Sequence, residues 1–170
     1  MSASEIKQSF EVFIQHLSEH PEECRSSDGT VTASLEEGLR FRAEGPRGAL
    51  ISDMPKALGG AGSAPSPAWL FRAALAACKA SAIAVRAART GVALATLEVT
   101  VESESDDRGF TGMDDNIPAG PLNMHTRVRI GAPGATPEQL REIVAWADEH
   151  SYVGKAVERA IPSTLETEVV

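Results

Sequence analysis

Apolar positions along this chain change their period several times, and each change marks an element. From Glu5 to Leu17, Ile6, Phe10, Phe13, Ile14 and Leu17 recur at helical spacing, and Pro21 ends the helix within a first segment over 1–22. Ser26-Ser27-Asp28-Gly29 reads as a turn. Thr30–Glu36 and Leu39–Glu44 then alternate as strands around a Glu37-Gly38 hairpin turn. In the second of them Leu39, Phe41 and Ala43 share one face and Arg40, Arg42 and Glu44 the other. A third short strand, Gly48–Ser52, completes a strand region over 30–52.

Residues 53–67 are a loop rich in Gly, Pro and Ser, and Ser66-Pro67 is an N-cap followed by proline at the first helical position. The helix so opened spans 66–90 and is closed by Gly91. Nine alanines fall between Phe71 and Thr90, so the cylinder is thin. Arg72, Lys79, Arg86 and Arg89 form a narrow charged stripe, which predicts a central helix buried over most of its surface. A strand pair over 94–130 follows. Ala95, Leu97, Val99 and Val101 alternate with Thr96, Glu98, Thr100 and Glu102; Met124, Thr126, Val128 and Ile130 alternate with His125, Arg127 and Arg129. Acidic and basic outer faces of that kind attract if the strands are neighbours. The connection from Ser103 to Leu122 is long for a hairpin. Thr136-Pro137-Glu138-Gln139 is a capping box that opens the last region, 136–170. It contains a helix with Leu140, Ile143, Val144 and Ala147 on one face, a short helical segment over Val153–Ala160, and a final strand Thr164–Val170. Strand runs with segregated helices give a single α+β domain over 1–170.

Composition narrows the function. With 16 basic against 24 acidic side chains the net charge is −8, which repels phosphate backbones and disfavours nucleic acid as a partner, an RNA-binding module included. No signal peptide and no spanning run are read, so the expectation is a cytoplasmic protein without a membrane partner. Two Trp, one Tyr and five Phe leave few large anchors, so Ala, Val, Leu and Ile must pack backbones closely, with a partner subunit to complete the core. Two cysteines, Cys24 and Cys78, cannot build a disulfide framework and are the first candidates for chemistry.

The ordered run Asp53-x-Pro55, Leu58-Gly59-Gly60, Ser66-Pro67, Leu70 and Ala73-Ala74-Leu75-Ala76-Ala77-Cys78 resembles the OsmC/Ohr family of thiol-dependent hydroperoxide reductases. Arg108-Gly109-Phe110-Thr111-Gly112 and the segment 136–161 sit where that family places a loop and its C-terminal helices. The resemblance implies an OsmC-like fold: antiparallel sheets wrapped around a long Ala-rich helix in an intertwined homodimer, with the active site at the interface. It also implies a peroxidatic cysteine, a resolving cysteine and an Arg–Glu pair. Cys78 matches the peroxidatic cysteine. The glutamate position is Ala68, and the resolving Cys-Pro-Val stretch corresponds to Ser151-Tyr152-Val153. Arg25, Arg40 and Arg47 are candidates for the arginine, with nothing to choose among them.

A peroxidatic thiol must ionise near neutral pH, and burial alone opposes that. The helical neighbours of Cys78 (Ala74, Leu75, Ser81 and Ala82) carry no charge. Activation is therefore expected from an arginine on another element or subunit. The leading reading is a one-cysteine organic hydroperoxide reductase acting through Cys78 with an external thiol as reductant. The alternative is a non-catalytic dimer that binds a small apolar ligand or senses oxidation. No cofactor or metal is expected. His16, His20 and Cys24 are spaced as metal ligands would be on one helix face, but Pro21 interrupts that helix and a solvated helix end is the simpler reading. Cys24 is not needed by either chemistry, and His125 and His150 read as surface residues.

Overall fold

The computed structural model describes residues 2–159 and 161–170. Its elements run α1 (Ala3–Glu19), β1 (Thr32–Glu37), β2 (Arg40–Gly45), β3 (Gly48–Ser52), α2 (Pro67–Arg89), β4 (Thr96–Glu104), α3 (Asp107–Phe110), β5 (Asn123–Gly131), α4 (Pro137–Glu149) and α5 (Tyr152–Glu158). One sheet has the order β1-β2-β3 and the other pairs β4 with β5, which is the α+β architecture expected. The described residues divide into two compact units, one built from 1–7, 75–100 and 126–170, the other from 8–74 and 101–125.

In the first unit the core is Ile83 and Ala87 of α2 against Ile143 and Ala147 of α4. Leu97 and Val99 of β4 and Val128 and Ile130 of β5 pack around it, using the apolar face that alternation assigned to each strand. Outside, Arg129 reaches Glu98 at 3.5 Å, the predicted attraction between acidic and basic faces. The α4 capping box forms as read, with the Thr136 hydroxyl accepting from the Gln139 amide at 3.2 Å and the Thr136 amide donating to Gln139 Oε1 at 2.9 Å.

In the second unit β2 pairs antiparallel with both neighbours, Ala33 opposite Ala43 and Ala43 opposite Leu50. The loop after β3 is organised by Asp53, which is 2% exposed. Its Oδ2 accepts from the Ser63 amide at 2.8 Å and the Ser63 hydroxyl at 2.9 Å, and Arg40 Nη1 donates to that hydroxyl at 2.8 Å. Led by the Ser63 amide, these donors hold the Asp53 carboxyl below the usual carboxylate range. Gly60 is confined here, because a Cβ would lie 1.9 Å from the Met54 carbonyl oxygen. The second glycine of the Leu58-Gly59-Gly60 signature is thus a steric requirement of the loop, and the first turns the chain at φ 87°.

The structure departs from the sequence reading at α2 and at the C-terminus. Only Leu75, Ile83, Ala87 and Ala88 of α2 are buried, while Ala74, Ala77 and Ser81 lie exposed. One side of the helix meets the core, and among the described residues most of its other positions are half-buried. At 23 residues, with mean hydropathy 1.4 over its best window, α2 does have the length and apolarity of a spanning helix by length and composition alone, while Ile83 and Ala87 on one side of it pack against Ile143 and Ala147 of α4. The long 103–122 connection carries the short helix α3. Asp106 caps α3 and grips Arg108 at 2.6 Å, which lowers the Asp106 pKa to about 2, and a Cβ at Gly109 would lie 2.4 Å from the Pro118 carbonyl oxygen. Residues 164–170 form no strand; Leu165 and Val169 are over nine-tenths exposed, and a strand needs a neighbouring edge to supply its hydrogen bonds. The end of the Val153–Ala160 segment at Ala160 lies outside the described residues.

Candidate active site

Cys78 lies in the middle of α2, and its sulfur faces the junction between α4 and α5. That junction exists because the two helices cannot merge. The α4 backbone leaves helical geometry at His150, and Ser151, extended at φ −79° and ψ 114°, starts α5 as its N-cap. The first amides of a helix lack partners inside it. Ser151 Oγ accepts from the Gly154 amide at 3.2 Å, and the Val153 amide donates to Cys78 Sγ at 3.4 Å. The Ser151 hydroxyl, itself capped from below, donates to the same sulfur at 3.3 Å.

Opposing influences therefore meet on the thiol. Burial pushes its pKa up; the Ser151 hydroxyl and the Val153, Tyr152 and Gly154 amides pull it down, and together they outweigh burial. The thiol lies below its ordinary value through hydrogen bonds from neutral groups. The arginine expected from the family pattern is not among the causes. Arg40 is committed to Glu36 at 2.9 Å and to Ser63.

Two glycine- and lysine-based details shape the surroundings. A Cβ at Gly154 would lie 2.9 Å from Ser151 Oγ and 3.0 Å from its Cβ, so the approach of α5 to its own cap requires glycine. Lys79 pairs with Asp148 on the last turn of α4, with its side chain only 12% exposed. Nearby, the Arg86 guanidinium lies 4.8 Å from the Trp146 ring centroid, and His150 stacks on Trp146 at 3.9 Å.

The residues singled out from the sequence thus fall into two groups. Cys78 and the Ser151-Tyr152-Val153 stretch come together. Cys24 does not join them: it is exposed, and its thiol donates to the Leu17 carbonyl at 3.6 Å. His16 stacks on His20 at 4.4 Å and reaches Glu23 at 2.8 Å, with His16 and Glu23 exposed and His20 half-buried. The sequence reading treated Ser151 as the place of a lost thiol and missed its role as a donor. A serine directly before a new helical segment, a residue type preferred at the N-cap, was the available signal.

Residues 60–166 match the model of a family described as OsmC-like protein, more than half of the chain. Among solved structures, an OsmC-like protein from Mycoplasma pneumoniae superposes with a TM-score of 0.67 at 15% identity, covering 79% of this chain and 89% of that one. An organic hydroperoxide resistance protein, OsmC, from Legionella pneumophila gives 0.55 at 25% identity, covering 78% and 91%. An OsmC-like protein from Vibrio cholerae gives 0.65 at 13% identity, covering 78% and 95%. No curated protein is similar enough in sequence to count as a relative.

Proposed function

This chain belongs to the OsmC-like protein family, and from that premise we propose that it reduces organic hydroperoxides with Cys78 as its one reacting thiol. The observation that carries the reading is the hydrogen-bonded sulfur, with the Ser151 hydroxyl at 3.3 Å and the Val153 amide at 3.4 Å favouring the thiolate. The thiolate attacks the distal oxygen of the hydroperoxide; the O–O bond breaks, giving a sulfenic acid on Cys78 and an alkoxide that takes a proton to leave as the alcohol. With a serine in the resolving position, an external thiol must attack the sulfenic acid sulfur and release water. A second thiol then cleaves the mixed disulfide and restores Cys78.

The function is housed in one domain over 1–170, in the cytoplasm, and in a homodimer whose second copy covers the exposed Ala74, Ala77 and Ser81 face of α2. Sedimentation of the chain as an 18.0 kDa species at micromolar concentration overturns the dimer. The activity is tested with cumene hydroperoxide and an external thiol, comparing the wild type with Cys78→Ser. Loss of consumption in the variant supports the reading; equally slow consumption by both overturns it and leaves a non-catalytic dimer that binds a small apolar ligand or senses oxidation.

A further inference from the structure

We propose that Lys79 is a positioning residue for Cys78, pinning the 148–154 segment to α2 and so holding the Ser151 hydroxyl and the Val153 amide on the sulfur. The inference rests on Cys78 being the reacting thiol.

The sulfur and its donors sit on different elements. Cys78 is on α2, whereas Ser151 and Val153 belong to the α4–α5 junction. Whatever fastens that junction to α2 sets both contacts. At 3.3 and 3.4 Å both are well-formed contacts for a sulfur acceptor, and both lengthen together if the junction moves away from α2.

Lys79 holds the junction on one side of Ser151 and lies close to it on the other. Its ammonium pairs with Asp148, three residues before the serine. Its Cε lies 3.6 Å from the place of a Gly154 Cβ, three residues after it. An ammonium on a side chain 12% exposed is costly unless paired, so the Asp148 contact is a condition of this packing and resists being swapped for water.

The other charges packed here serve different contacts. Arg86 of α2 lies over the Trp146 ring, and Lys155 of α5 is held by Glu149 at 2.9 Å and Glu158 at 2.8 Å, within the α4–α5 stretch itself. Lys79 is also absent from the causes of the lowered Cys78 pKa. Its influence therefore runs through the neutral donors it holds in place.

The test is the pH dependence of Cys78 alkylation by iodoacetamide, with Cys24→Ser as the background so that one thiol reports. Lys79→Met keeps the stem and removes the charge; Asp148→Asn removes the partner from its more exposed end. Each is expected to slow alkylation at neutral pH by about 2- to 10-fold, the range for losing an ordinary hydrogen bond, and to move the profile to higher pH. Lys79→Arg should restore most of the rate, and the double variant should be no slower than either single one. Folded variants that alkylate with the wild-type profile overturn the inference. If Lys79→Met does not fold, Asp148→Asn decides. Alkylation needs no peroxide, so the two readings fail separately. A shifted profile without Cys78-dependent turnover sinks the reductase and keeps the Lys79 role, while turnover with an unshifted profile does the reverse.

Discussion

Replacing Ser151 with alanine removes one oxygen that serves two partners, and the two losses can be measured apart. As the N-cap of α5 the oxygen accepts from Gly154 at 3.2 Å, and Ser-to-Ala at an N-cap costs about 0.5–2 kcal/mol. For a chain of this length each kcal/mol lowers Tm by about 2–4 °C. As a donor to Cys78 at 3.3 Å it favours the thiolate. Hydrogen bonds to charged groups contribute about 1.5–3 kcal/mol, and a contact to a weak sulfur acceptor belongs at the lower end. At about 1.4 kcal/mol per factor of ten, Ser151→Ala should slow alkylation of Cys78 at neutral pH roughly tenfold, while burial, which opposes the thiolate, stays in place. The assay is iodoacetamide alkylation across pH in the Cys24→Ser background, run well below a Tm measured on the same sample. A folded variant with a lowered Tm and an unmoved alkylation profile would mean that Ser151 is a cap and nothing more.

Ser151→Cys places a second thiol against Cys78, and peroxide should then produce an intrachain disulfide, seen as loss of both free thiols and a two-hydrogen mass decrease; persistence of a free thiol at that position refutes the juxtaposition. Gly154→Ala forces a methyl to 2.9 Å from Ser151 Oγ, and should cost about 1–3 kcal/mol in chemical denaturation and slow alkylation as well. Because folding lowers the Cys78 pKa, the folded state binds the thiol proton less tightly than the unfolded one. The resulting stabilisation is full above the unfolded thiol pKa and is lost as pH falls through the folded one. Denaturation midpoints across the alkaline range should show that slope in the wild type and not in Cys78→Ser.

Much of this fold was legible because its elements carry local signals. The Thr136-Pro137-Glu138-Gln139 box names its own helix start, and the alternation through Leu97 and Val99 names the buried face of β4. The strand expected over 164–170 was misjudged because Leu165 and Val169 alternate correctly, yet a strand also needs an edge to pair with. The alanines of α2 mark a surface that wants close packing, and they do not say how much of it the same chain supplies. At the site, the sequence offers Cys78 and candidate arginines but not the donors that this chain itself brings to the sulfur. Those are a hydroxyl and backbone amides from residues 151–154, which become aligned only when the chain turns from α4 into α5.

The Ser151 oxygen has a consequence for how this site could change over time. One backbone position both starts α5 and faces the reactive sulfur. Serine is among the best residues for starting a helix, and cysteine is not among them. A cysteine there would give up helix stability for redox self-sufficiency, and the serine does the reverse. Selection for a sturdier fold and selection for an autonomous catalytic cycle therefore compete for the same side chain.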